Sequence, residues 1–294
     1  MTIDEIKTIG VVGAGQMGRG IAQVLAATGW NVLLVDVTED ALEAAIRRIW
    51  QGVMRALEKG ALRSDQAGTI MALIHPTRRM EQLRDAQVVI EAIPEDPVMK
   101  RELFSQLGRI CEPSTLLASN TSSTSIASLG TATRRASRVV GMHFMNPVPV
   151  MRLVEVVRGV ETSDHAVQMA IGLVHRLGKT PVVCKDFPGF IVNRVLIPMI
   201  NEAIFALEDG VASAEAIDLA MVQGTNHPVG PLALADRIGL DTVLAICEGL
   251  HQDLGDLKFR PCPLLRQYVE AGRLGRKSGR GFYTYDEQPV ASVT

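Results

Sequence analysis

His143 ends the apolar run Val139-Val-Gly-Met-His143, and Glu155 interrupts a second one, Leu153-Val-Glu-Val-Val157. An imidazole at the C-terminal end of a buried strand is suited to proton transfer near neutral pH. A carboxylate among four apolar neighbours needs a partner, because an unpaired buried charge is costly. If the two runs lie side by side, the acid can fix the imidazole tautomer and stabilise its protonated form. The competing reading is an edge-strand acid facing water. The intervening Phe144-Met-Asn-Pro-Val-Pro149 reads as a rigid loop, since two prolines restrain it. The other histidines, His75, His165, His175, His227 and His251, fall in helix or loop patterns without such context. A second polar constellation, Ser119-Asn-Thr-Ser-Ser-Thr-Ser125, follows another strand pattern. It reads as a helix cap, a hydroxyl surface facing a substrate, or both.

Proton transfer of this kind accompanies hydride transfer, and the N-terminal residues carry a dinucleotide fingerprint. Gly13-x-Gly15-x-x-Gly18 follows the strand pattern 8–12 and opens a helical pattern that runs to about Ala27. A second apolar run, 31–35, ends in Asp36, 18 residues beyond Gly18. Gly13 permits the tight turn, Gly15 lets a pyrophosphate approach the backbone, and Gly18 lets the helix pack close to the sheet. Gln16 and Met17 lie at the helix start, where free N–H groups and the helix dipole favour phosphate. Asp36 is predicted to accept hydrogen bonds from the adenosine ribose. It would repel a 2′-phosphate, and Val37 and Thr38 bring no cation to receive one. The cofactor predicted is NAD rather than NADP. The alternative is a doubly wound domain whose glycine turn only packs.

These groups need a scaffold that brings strand ends together. Two long helical patterns, 39–59 and 64–74, follow Asp36 and read as a helical hairpin inserted over about 39–79. Strand patterns recur at 86–93, 115–119, 139–144, 153–157 and 180–184, with helical patterns at 97–110 and 164–177. The alternation predicts an α/β fold, a Rossmann-type doubly wound and mostly parallel sheet with helices on both faces. The character changes at Lys185-Asp-Phe-Pro-Gly189. Helical patterns then cover 190–208, 214–222, 231–237, 241–254 and 263–271, with one short strand pattern at 282–285. The domains expected are 1–186 for NAD and an all-helical 187–294 for substrate and dimerisation. The first helix of the second domain is apolar on nearly every face, which points to a homodimer. A central helix of a monomeric bundle is the alternative.

Bulk properties narrow the class. A chain of 294 residues suggests about two domains. A net charge of −2 gives no general affinity for nucleic acid. Cys111, Cys184, Cys247 and Cys262 are scattered without a CxxC pair, which argues against a disulfide framework and against a metal site. The first strand pattern begins within ten residues of Met1, so no signal peptide is read. The most apolar stretch, 190–207, is interrupted by Asn193, Arg194, Asn201 and Glu202, so no membrane span is expected. The expectation is a cytoplasmic protein with a small-molecule partner.

The sequence resembles the L-3-hydroxyacyl-CoA dehydrogenase family over essentially its full length. The resemblance rests on Gly13-x-Gly-x-Met-Gly18, Ser119-Asn-Thr-Ser-Ser123, His143-Phe-Met-Asn-Pro-Val-Pro-Val-Met151, Leu153-Val-Glu155, Pro188-Gly-Phe-Ile-Val-Asn-Arg194 and Gly275-Arg-Lys-Ser-Gly-Arg-Gly-Phe-Tyr283. It implies reversible, NAD-linked oxidation of a short (3S)-3-hydroxyacyl-CoA. It further implies that His143 is the general base, that Glu155 orients it, that Ser122 bonds the substrate hydroxyl or its developing oxyanion, and that Asn193 completes the substrate site. Asn120, Asn146, Glu95, Lys100 and Lys277 match cofactor-contact positions, and Lys59 matches a coenzyme A contact. Gly52 departs from the serine often found there. The Pro94-Glu-Asp96 context also occurs among carnitine and sugar-acid dehydrogenases of this fold. A dehydrogenase of a hydroxy acid without a thioester, and a non-catalytic NAD sensor, are the rival functions.

Overall fold

A computed structural model describes residues 2–60 and 62–285. Its contacts divide the chain into two compact units, Met1–Phe190 and Ile191–Thr294. In the first unit the elements run β1 (Thr8–Val12), α1 (Gln16–Ala27), β2 (Asn31–Val35), α2 (Glu39–Glu58), α3 (Ser64–Ala72), β3 (Ile74–Thr77) and β4 (Val88–Glu91). They continue with α4 (Pro97–Ile110), β5 (Leu116–Ser119), α5 (Ile126–Thr133), β6 (Val139–Phe144), β7 (Leu153–Arg158), α6 (Asp164–Arg176) and β8 (Thr180–Lys185). The strands form one eight-stranded sheet in the order β3-β2-β1-β4-β5-β6-β7-β8. Every neighbouring pair is parallel except β6 with β7.

The inner strands β4, β5 and β6 are buried along their whole length. Such continuous apolar runs fit a parallel sheet covered on both faces. Ile21, Leu25, Leu42, Ile49, Ile70 and Leu173, from α1, α2, α3 and α6, pack on one face. Leu103, Phe104, Leu107 and Leu129, from α4 and α5, pack on the other. The strand order reverses beside β1, so the loops after β1 and β4 flank the switch point where open α/β sheets bind ligands. Gly13 N donates to Val35 O (2.8 Å) and Ala92 N to Val12 O (2.7 Å), which ties those loops to the strand ends.

Local patterns misread three segments. The helical pattern 64–74 stops at Ala72, and Ile74 opens β3 instead. This strand is four residues long, with His75 and Pro76 exposed. Proline is tolerated at a sheet edge, but so short a stretch has no period to detect. Helix α5 shows in the sequence only through the cap reading of 119–125, because Gly130, Thr131 and Thr133 weaken its own signal. Its start is fixed by Ser125, whose hydroxyl accepts from Ser128 N (3.3 Å), and by Asp186, which accepts from Ala127 N (2.9 Å). Residues 282–285 form no strand; Thr284 makes an isolated bridge with Arg280.

The second unit contains α7 (Val192–Glu208), α8 (Ala214–Thr225), α9 (Pro231–Ile238), α10 (Leu240–Leu254) and α11 (Pro263–Glu270). Ile197, Ile200 and Ile204 of α7 are buried with Leu232, Val243 and Leu265, while Val195 is exposed. Two buried carboxylates fold the last described segment onto α9. Asp236 accepts from Phe282 N and Tyr283 N (both 3.0 Å), and Asp218 accepts from Leu232 N (2.8 Å) and from the Tyr283 hydroxyl (2.8 Å). Among the described residues no helix is long and apolar enough to cross a membrane.

Candidate active site

The glycine turn leaves β1 through Gly13, whose φ of +104° only glycine adopts readily. A Cβ on Gly18 would lie 1.7 Å from the Gly13 carbonyl oxygen, so this glycine lets α1 sit against the turn. A Cβ on Gly15 would meet nothing within 4 Å. The backbone there faces open space, as the approach of a phosphate requires. Asp36, at the end of β2, accepts from Ala14 N (2.7 Å) and Val37 N (2.8 Å), so one carboxylate braces the turn. A cavity of about 810 Å³ opens here, lined by Gly13, Gly15, Gln16, Met17, Asp36 and Ile93 among others. Its size, its bare backbone and its acid suit the adenosine half of NAD.

The proton-transfer pair is assembled by strand register. β6 and β7 run antiparallel with His143 opposite Glu155. His143 Nδ1 lies 2.6 Å from Glu155 Oε2, and Glu155 has 0 % of its surface exposed. The water-facing alternative for Glu155 is thereby excluded. A proton on Nδ1 is shared with the carboxylate, which makes Nε2 the acceptor. The Phe190 ring meets the imidazole edge-on at 5.7 Å. The Asn120 side chain accepts from Phe144 N (2.9 Å), which joins the end of β5 to the residue after His143. Gln16 Nε2 donates to Asn146 Oδ1 (3.1 Å), linking the loop after His143 to the glycine turn.

The polar run 119–125 is sorted by a buried charge network. Glu91, at the end of β4, accepts from Lys100 Nζ (2.7 Å), Ser119 Oγ (2.5 Å) and Ile93 N (2.8 Å). Lys100 Nζ also lies 3.4 Å from Glu95 Oε2. Glu95 in turn accepts from Thr124 Oγ1 (2.7 Å), Ser123 Oγ (3.2 Å) and the Thr121 hydroxyl. Burial pushes the Glu95 carboxyl up, but Lys100, Thr121 and Thr124 outweigh it and hold it below the usual range. Ser125 caps α5 and donates to Asp186 (2.9 Å). Among the described residues, the Ser122 hydroxyl has no protein partner and is half-buried.

The first unit thus links the glycine turn with Asp36 and Asn146, Asn120 with the residue after His143, and His143 with Glu155, while Ser122 lies in the loop after β5. Glu95 is about a third exposed, with 34 % of its side chain accessible, and Lys100 is enclosed behind it at 1 %. Neither Glu95 nor Lys100 lines the cavity, although the preceding Ile93 and Pro94 do. Lys59 stands exposed at the end of α2. Asn193 and Lys277 belong to the second unit, where Lys277 Nζ pairs with Asp241 Oδ1 (2.5 Å). Three residues escaped the sequence reading. Glu91 carries the same signal as Glu155, an acid in an apolar strand. Lys179 is buried and donates to the carbonyls of Val148 and Met151 (both 2.6 Å), which secures the loop after His143. Burial holds its ammonium below the usual lysine range. Arg78 enters the cavity wall from the residue after β3.

Residues 8–187 match the NAD binding domain of 3-hydroxyacyl-CoA dehydrogenase, and residues 189–285 match the C-terminal domain of the same enzyme. The chain belongs to the 3-hydroxyacyl-CoA dehydrogenase family. It is an oxidoreductase, and its cofactor is NAD. It is 54 % identical over 284 residues to a probable 3-hydroxybutyryl-CoA dehydrogenase of Bacillus subtilis, covering 97 % of this chain and 99 % of the relative. A 3-hydroxybutyryl-CoA dehydrogenase of Bradyrhizobium diazoefficiens is 49 % identical over 280 residues, 95 % of this chain and 96 % of the relative. The fold is similar to the crystal structure of (S)-3-hydroxybutyryl-CoA dehydrogenase from Ralstonia eutropha, with a TM-score of 0.93 and 46 % identity. That match covers 96 % of this chain and 100 % of the other.

Proposed function

We propose that the chain catalyses the reversible oxidation of (3S)-3-hydroxybutyryl-CoA, or a similarly short (3S)-3-hydroxyacyl-CoA, to the 3-oxoacyl-CoA. The observation that carries this reading is the buried His143–Glu155 pair at 2.6 Å, joined to the cofactor turn through Asn146 and Gln16. Bound NAD supplies the hydride acceptor, and Gly13, Gly15, Gln16, Met17, Gly18 and Asp36 are the residues that would hold its adenosine and phosphate portion. The substrate alcohol must also lose a proton. His143 takes it at Nε2, while Glu155 fixes the tautomer and stabilises the imidazolium that forms. The unpartnered Ser122 hydroxyl donates to the substrate oxygen, which becomes more negative as its proton leaves. Asn120, Asn146, Glu95 and Lys277 are proposed cofactor contacts, with Lys100 supporting Glu95. Asn193 is proposed as a further substrate contact and Lys59 as a coenzyme A contact.

On this reading the NAD site lies in residues 1–186, with the helical hairpin about 39–79 facing coenzyme A. Residues 187–294 serve substrate binding and homodimer formation, for which the apolar surface of α7, including exposed Val195, is the support. A cytoplasmic location is proposed on the four cysteines, all free. The test is a steady-state series of 3-oxoacyl-CoA thioesters of increasing length, assayed with NADH beside free acetoacetate. The reading requires turnover of the short thioesters and none of the free acid. Turnover of the free acid without the thioester would replace it with a hydroxy-acid dehydrogenase.

A further inference from the structure

Asp36 is expected to repel a 2′-phosphate, yet the wall beside it also carries a cation. β3 pairs in parallel with β2, with Thr77 opposite Val35, so Arg78 and Asp36 leave the sheet side by side. Arg78 Nε donates to the Val37 carbonyl at 3.2 Å. Among the described residues its two terminal nitrogens have no protein partner, and no carboxylate pairs with it. Arg78 and Asp36 both line the same cavity, and among the described lining residues Asp36 is the one acid. A guanidinium fork matches phosphate geometry, and an arginine near the ribose is what accommodates a 2′-phosphate in dinucleotide folds. Here that cation comes from the neighbouring strand rather than from the residues after the acid, 37 and 38.

We propose that Arg78 attracts the 2′-phosphate of NADP(H), an attraction that the charge of Asp36 outweighs in the wild type. Cofactor selectivity is then set by the pair, and removing one carboxylate exposes the other half. The proposal rests on the glycine turn being the dinucleotide site, which NADH binding to the wild type checks separately.

The test is a set of equilibrium titrations on the full-length chain. NADH and NADPH are followed by their own fluorescence, and 2′,5′-ADP and 5′-ADP by competition. The proteins are wild type, Asp36→Asn, Arg78→Gln and the double variant. Asp36→Asn keeps the side-chain volume and one acceptor for the turn, which Asp36 now braces through Ala14 and Val37. It should shift the NADPH-to-NADH preference toward NADPH by about tenfold or more, and most of that gain should vanish in the double variant. The 2′,5′-ADP affinity should follow NADPH and fall with added salt, while 5′-ADP should not depend on Arg78. If Asp36→Asn does not fold, Arg78→Gln alone still decides: it should lower the 2′,5′-ADP to 5′-ADP affinity ratio. A gain that survives loss of Arg78, or an equal weakening of all four nucleotides by Arg78→Gln, would overturn the proposal. Absence of NADH binding in the wild type would instead remove the cofactor reading beneath it.

Discussion

Replacing Glu155 by glutamine changes one charge at the centre of the site and almost no volume. Glu155 Oε2 lies 2.6 Å from His143 Nδ1, and the acid is fully buried. At an effective dielectric of about 20 and a charge separation of about 3–4 Å, an imidazolium and this carboxylate attract by about 4–6 kcal/mol. If about half of the proton has reached His143 in the transition state, the loss is about 2–3 kcal/mol, or about a hundredfold in rate. The amide adds a second penalty, since an NH₂ group facing Nδ1 forces the proton onto Nε2, the end that must accept. In a serine-protease triad the corresponding change costs about 10⁴ in kcat. We therefore expect Glu155→Gln to lower kcat by ~10²–10⁴, with a shifted pH–rate profile and unchanged NADH affinity. The assay is steady-state reduction of acetoacetyl-CoA by NADH across pH, beside an NADH fluorescence titration. A kcat within about threefold of wild type, with an unmoved profile, would refute the pairing argument.

The buried ion network gives a stability prediction. Lys100→Met strips Glu91 of its cation at a fully buried site, which should cost about 3–5 kcal/mol and lower the Tm by about 6–20 °C. A melting curve that matches wild type would show that Glu91 needs no counter-charge. At the glycine turn, Gly18→Ala places a methyl group 1.7 Å from the Gly13 oxygen and must push α1 away from the sheet. NADH binding should weaken at least about tenfold, and a normal titration would show that the contact relaxes without consequence.

The chemistry was legible where a local pattern carries a burial conflict. Glu155 stood out as an acid inside an apolar strand, and the fold resolves the conflict by setting His143 opposite it. The glycine turn was legible because each glycine answers a local steric need and Asp36 closes the unit at a fixed distance. Glu91 carried the same signal as Glu155 but had no histidine nearby to draw attention to it. Its partner Lys100 is marked by the resemblance as a cofactor contact, and nothing in its local pattern shows that it is buried against Glu91. Arg78 was hidden for a different reason. It lies beside Asp36 only because β3 pairs with β2, and the local pattern shows no strand at 74–77. Lys179 likewise joins a loop about 30 residues upstream through the β7–β8 pairing. Register between distant strands is set by tertiary packing, so residues that arrive through it leave no mark in a local window. The small-residue helix α5 follows the same logic, since Asp186, far along the chain, helps to fix its start.

The central claim is that His143 moves the substrate proton in an NAD-linked reaction of a 3-hydroxyacyl thioester. The most direct measurement is acetoacetyl-CoA reduction by NADH, comparing wild type with His143→Ala under saturating substrate. Steady turnover in the wild type and a loss of ~10²–10⁴ in the variant, with NADH affinity retained, is the predicted result. Near-normal turnover in His143→Ala would contradict the account and move the proton chemistry to another residue.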